Sequence, residues 1–164
     1  MCDACNYNQL MESSGLGPTP GRRQVLEIIG SSASPLTAQE IAFALERAMP
    51  INRVTLYRIL DLLVEHKVVD RITAGDRSYR YGLAENPNHP RHPHFYCTHC
   101  GSMECLNPKS INVDMDTIQS IYPALIERVE VRLDGVCKTC LRQQRRGANR
   151  AVNSGAKPER RRKA

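Results

Sequence analysis

His89-Pro-Arg-His-Pro-His-Phe-Tyr-Cys-Thr-His-Cys-Gly-Ser-Met-Glu-Cys105 holds four of the chain's five histidines and three of its seven cysteines. Within it Cys97 and Cys100 form a Cys-x2-Cys pair, and a second pair, Cys137 and Cys140, follows downstream. Each short pair grips a tetrahedral ion from one side, and two pairs close a four-sulfur shell, so the pattern predicts a structural zinc. The 36 residues between the pairs make a longer loop than a zinc ribbon has. The ion is therefore expected to clip a whole small domain together.

Working outward, 164 residues leave room for one ordinary domain or two small ones, and a small domain commonly needs a metal to support its thin core. No apolar run approaches a membrane span, and Met1-Cys-Asp-Ala-Cys-Asn6 lacks the basic and apolar regions of an export signal. The expectation is a cytoplasmic protein with no membrane partner, whose cysteines serve as ligands or thiols. The net charge of +6 is unevenly placed. From Leu141 onward nine Lys or Arg face one acid, which leaves residues 1–140 at 14 − 16 = −2. Residues 142–164 read as a basic, disordered tail that adds non-specific attraction to phosphates or simply solubility.

Toward the N-terminus, residues 1–18 are polar and punctuated by Gly and Pro, with a lone pair, Cys2 and Cys5, that lacks the other half of a metal shell. Thr19-Pro20 opens a helix with Val25, Leu26, Ile28 and Ile29 on its apolar side, expected to stop near Gly30. Thr37-Ala38-Gln39-Glu40 is a capping box, and the helix it starts ends at Pro50. Asn52 caps a third helix, Arg53 to about Glu65, with Leu56, Ile59, Leu60 and Leu63 on one face and Arg53, Tyr57 and Arg58 projecting away. Three short helices whose third carries basic and aromatic groups at an exposed start describe a helix-turn-helix unit that reads double-stranded DNA. A basic hairpin follows, Val68–Ile72, a turn at Thr73–Asp76, then Arg77–Tyr81, which makes the unit a winged helix.

Residues 83–90, rich in Pro and Asn, read as a hinge between a DNA-binding domain (19–82) and a second domain (91–141). That second domain should contain a strand at His94–Cys97, a return strand at Ser102–Leu106, a helix in Val113–Leu125 and a strand in Ile126–Val136. Such a small α/β unit cannot bury both faces of its sheet, so it should form a homodimer and present two winged helices to a two-fold site. The fold class is thus α/β of the α+β kind, a winged helix-turn-helix domain followed by a small dimerisation domain.

Together these motifs resemble the ferric uptake regulator family of metal-responsive repressors, and its zinc uptake branch most. The matching pieces are Thr19-Pro20-x-Arg22, Leu36-Thr37-Ala38-x-Glu40-Ile41, Thr55-Leu56-Tyr57-Arg58-Ile59-Leu60, His92-x-His94-Phe-x-Cys97-x2-Cys100-Gly101 and Gly135-x-Cys137-x2-Cys140. They span about residues 16 to 141. The resemblance implies a dimeric repressor that binds a palindromic operator when metal-loaded. It implies operator contacts from Tyr57 and Arg58; Arg22, Arg53, Thr55 and Arg77 are the further candidate DNA contacts. It also implies a structural zinc on Cys97, Cys100, Cys137 and Cys140, and a regulatory ion on His92 and His94.

Three positions depart from the family pattern. Pro35 stands where several members place a histidine, Gly82 where they place an acid or a cysteine, and Cys105 where they place a carboxylate. Cys105 is the natural third regulatory ligand, with His89 preferred over Asp70 as the fourth because imidazole suits zinc. A thiolate in the sensing site favours Zn(II), with Fe(II) or Mn(II) as alternatives. His66 and His99 are read as surface residues. Two other readings stay open: an iron-responsive or peroxide-sensing regulator of the same family, and, in another class, a thiol oxidoreductase or zinc carrier. The sequence contains no catalytic Ser-His-acid set and no phosphate loop.

Overall fold

In a computed structural model of the chain, residues 5–75, 78–126 and 128–153 are described. The first element is a helix, α1 (Tyr7–Ser13), capped by Asn6, and composition alone does not announce it. Met11 and Leu16 nevertheless enter the core of the N-terminal unit, with Tyr7 and Leu10 packed against it. From residue 5 onward the N-terminal segment therefore packs with the helices of this unit.

Helix α2 (Pro20–Ser31) begins where Thr19 accepts from the Arg22 N–H. It ends at Ser31, next to Gly30 as expected. A methyl at position 30 would overlap the Tyr7 ring, so this glycine is also a packing site for α1. Strand β1 (Leu36–Thr37) leads into α3 (Ala38–Ala48), whose capping box forms as expected, with Glu40 N–H on Thr37 Oγ1 at 3.1 Å and Thr37 N–H on Glu40 Oε2 at 2.7 Å. Helix α4 (Arg53–Glu65) starts at Asn52 and buries Leu56, Ile59, Leu60 and Leu63, the apolar stripe read from the sequence. The wing is β2 (Val69–Thr73) and β3 (Tyr79–Leu83), and β1 joins it to give an antiparallel sheet ordered β1-β3-β2. Contacts of this unit continue just past residue 82, since Leu83 and Ala84 are buried and the Ala84 N–H donates to Val68 O.

A tight turn closed by two backbone hydrogen bonds between Asn86 and His89 leads to the second unit. Its sheet is mixed: β4 (His94–Cys97) pairs antiparallel with β5 (Met103–Cys105) and parallel with β6 (Arg132–Gly135). The expected strand in 126–136 is confined to residues 132–135 because only those pair with β4. Helix α5 (Met115–Ile121) is shorter than expected, bounded by the Asp114 cap and by Pro123 two residues past its end. Helix α6 (Lys138–Asn153) replaces the disorder expected from residue 142 onward, and the remainder of the tail lies outside the described residues.

The winged helix and the mixed-sheet unit are the α+β pair expected. No helix among the described residues is long and apolar enough to cross a membrane.

Candidate metal centres and nucleic-acid face

Cys97 ends β4, Cys100 closes the turn that follows it, and Cys137 and Cys140 lie at the start of α6. The parallel pairing of Cys97 with Gly135 brings the two Cys-x2-Cys pairs together. Their four sulfurs lie within 4.8 Å of one another, with Cys97 to Cys140 at 4.0 Å and Cys100 to Cys137 at 3.9 Å. A regular tetrahedron with bonds of about 2.3 Å has edges of roughly 3.8 Å, so the shell is already at the size a zinc ion needs.

Electrostatics point the same way. The Cys137 N–H, donating to Cys97 Sγ at 3.3 Å, draws the Cys97 thiol down to about 6. The Ser102 hydroxyl, 3.2 Å from Cys100 Sγ, also lowers Cys100. Cys140 is pushed up to about 12, first by its hydrogen bond with the Cys137 thiol and then by burial. Four thiols this close cannot all ionise without a cation among them, which a divalent metal supplies.

The second cluster lies beside the hinge. His94 and Cys105 face each other across the β4–β5 ladder, and with His92 their ligand atoms lie within 4.8 Å of one another. His92 Nδ1 is 3.0 Å from the Pro90 carbonyl, the place of an N–H donor. That tautomer leaves Nε2 with a lone pair, and Nε2 is buried without a hydrogen-bond partner among the described residues. An orphaned imidazole nitrogen beside a second imidazole and a thiol fits a metal. Burial, helped by the neighbouring His92, lowers His94 to about 4, and burial raises the Cys105 thiol.

The candidates for a fourth ligand stand further off. His89 stacks edge-on against His92 with centroids 4.9 Å apart, and its pKa is lowered by burial and then by His92. Asp70, at the base of the wing, instead pairs with Arg128 at 3.6 Å. Both line the same cleft of about 480 Å³, which also includes Pro35, Gly82, Glu85, His92, His94 and Cys105. Neither belongs to the three-residue cluster. His99 is exposed, but His66 is more than a surface residue, since its Nδ1 lies 2.8 Å from the Ser14 carbonyl and ties the end of α4 to α1.

On the opposite unit, Arg53, Val54, Thr55, Tyr57 and Arg58 are exposed at the N-terminal end of α4, with Leu56 pointing inward. Arg22 is committed locally, its Nη1 donating to the Gly17 carbonyl at 2.7 Å. Arg77 and Cys2 lie outside the described residues, whereas Cys5 is half-buried with its sulfur 3.7 Å from Asn86 Oδ1. The sequence reading missed the groups joining the two units, namely Arg80, Arg128 and Arg132. Their partners are far away in sequence, and nothing local marks them.

A winged helix joined to a small sheet that gathers two sets of metal ligands defines a metal-dependent transcriptional regulator. The profile of the Ferric uptake regulator family matches residues 13–133, and the chain belongs to that family. It is 27% identical over 132 residues to the ferric uptake regulation protein of Bacillus subtilis (strain 168), covering 79% of this chain and 89% of that one. It is 28% identical over 131 residues to the peroxide-responsive repressor PerR of Staphylococcus aureus (strain Mu50), covering 79% and 86%. A zinc uptake regulator complexed with zinc and DNA has the same fold, with a TM-score of 0.61 at 21% identity over 84% of this chain and 92% of that chain. The family consists of regulators rather than enzymes, which removes the oxidoreductase reading.

Proposed function

We propose that the chain is a zinc-responsive repressor that binds a palindromic DNA operator as a homodimer. The observation that carries the zinc assignment is the Cys105 thiol beside His92 and His94, because sulfur selects zinc over the harder Fe(II) and Mn(II). His92 offers Nε2, His94 its neutral imidazole and Cys105 its sulfur, with His89 the preferred fourth ligand. Bound there, zinc would supply a cationic cross-link between the hinge and β5. Cys97, Cys100, Cys137 and Cys140 hold the structural ion.

Tyr57 and Arg58, flanked by Arg53 and Thr55, face the major groove from α4, with Arg77 a further candidate contact. Dimerisation is supported by apolar groups a single copy leaves in water: Ile121 is 76% exposed, Tyr122 64% and Leu125 81%. Operator binding titrated with Zn(II), Fe(II) and Mn(II) at buffered free-metal concentrations tests the proposal. Zinc should act at the lowest free concentration, and a preference for iron would overturn it. The iron or peroxide reading draws on the ferric and peroxide-responsive relatives and on Asp70, whose carboxylate lines the same cleft.

A further inference from the structure

Arg80 is the only charged residue that is buried among the described residues, at 9% exposure. It lies on β3, the central strand of the wing sheet, between Thr37 of β1 and Ile72 of β2. Its guanidinium leaves the DNA-binding unit. Nη2 donates to the carbonyl of Gly101, the residue that ends the Cys97-Thr98-His99-Cys100 turn. Gly101 holds that turn closed in a left-handed conformation, φ +71°, with its own N–H on the Cys97 carbonyl at 2.8 Å. Nη1 lies 3.6 Å from Glu40 Oε2, the same oxygen that completes the capping box of α3. One planar cation thus touches the four-cysteine knuckle at one end and the helix before α4 at the other.

The surroundings reinforce this link. Ile72 and Ala74 of the wing form a buried cluster with Tyr96 and Met103 of the second unit. Gly75 lies against the Tyr96 ring so closely that a Cβ would come within 3.0 Å of it. Arg132 donates to the Thr73 carbonyl from β6. The wing therefore rests on the sheet that carries Cys97. A buried guanidinium is tolerated only while its acceptors stay in place, since an unpaired buried charge is costly. The Gly101 carbonyl is fixed by a turn whose two cysteines are themselves held by the metal shell.

We propose that Arg80 is a positioning residue that makes the seating of the winged helix depend on the four-cysteine site. When the knuckle loosens, Arg80 loses its Gly101 acceptor, the guanidinium must be rehydrated, and the wing leaves the sheet. The site then governs the placement of the DNA-binding unit as well as the integrity of its own domain. This rests on the four cysteines holding a metal, as read above.

Amide hydrogen exchange on the full-length protein tests it, with zinc per chain measured first. Wild-type protein with its four-cysteine zinc should protect residues 69–84, and chelating that zinc should speed their exchange about tenfold or more. Arg80→Met should show the fast exchange while keeping the zinc, and chelation should add nothing further. Arg80→Lys keeps the charge but cannot span both acceptors, and should fall between the two. It also serves as the readout if the methionine variant folds poorly. Wild-type-like protection of the wing in zinc-loaded Arg80→Met and Arg80→Lys would overturn the proposal, as would protection in the wild type that ignores chelation. Fresh protein without zinc would instead overturn the metal reading beneath it.

Discussion

Cys105 meets His94 across one rung of the β4–β5 ladder, so on the proposed reading its chemistry sets which metal the hinge cluster takes. Cys105→Ser should keep the four-cysteine zinc and the dimer but lose the second zinc and zinc-dependent operator binding, checked by metal stoichiometry and DNA titration. Cys105→Asp should shift preference toward Fe(II) or Mn(II). The pH dependence follows from the ligands. His94, lowered to about 4, is already neutral near pH 7 and releases no proton on metal binding. Cys105, raised by burial, is still a thiol there and must release one. Zinc affinity should therefore rise with pH by about tenfold per unit on account of Cys105 between pH 6 and 8. The aspartate variant, already ionised, should be shallower by that one proton. Equal slopes for the two proteins would remove the thiolate from the site.

At the scale of the elements, α4 is the helix proposed to read DNA, and α1 holds an unexpected share of stability. Tyr57→Ala should weaken cognate operator binding by about 1–3 kcal/mol while leaving non-specific binding nearly intact, measured by competition with scrambled duplex. Met11 is fully buried, so Met11→Ala should destabilise the N-terminal unit by about 2–5 kcal/mol in chemical denaturation, far more than a loose leader would. The helices of the DNA-binding unit were legible because their caps and apolar periods are local: Thr37 with Glu40, and Asn52 ahead of Leu56, Ile59, Leu60 and Leu63. Helix α1 was not, because its polar sequence is held by packing against Gly30 and the core. The four-cysteine shell could be read from spacing alone. The seam between the units could not, since Arg80 with Gly101 and Arg128 with Asp70 are pairs that only the folded chain brings together.

For the whole molecule, the four-cysteine shell joins both ends of the second unit, whose buried clusters are small. Cys137→Ser should therefore lose the structural zinc and the dimer together, seen by elemental analysis alongside sedimentation. A dimer that survives without zinc would refute the coupling.

The parallel pairing of β4 with β6 also has a meaning in time. Residues 94–97 cannot complete their sheet until residues 132–135 have been made, whereas the winged helix closes its contacts by about residue 84. At ordinary synthesis rates Cys137 follows Cys100 by roughly 2–7 s. During that interval a nascent chain displays half a thiolate shell beside an unfinished strand edge. Such a chain is open to mispairing with another until its second pair of cysteines arrives, so zinc scarcity during synthesis should appear first as aggregated product rather than as metal-free dimer.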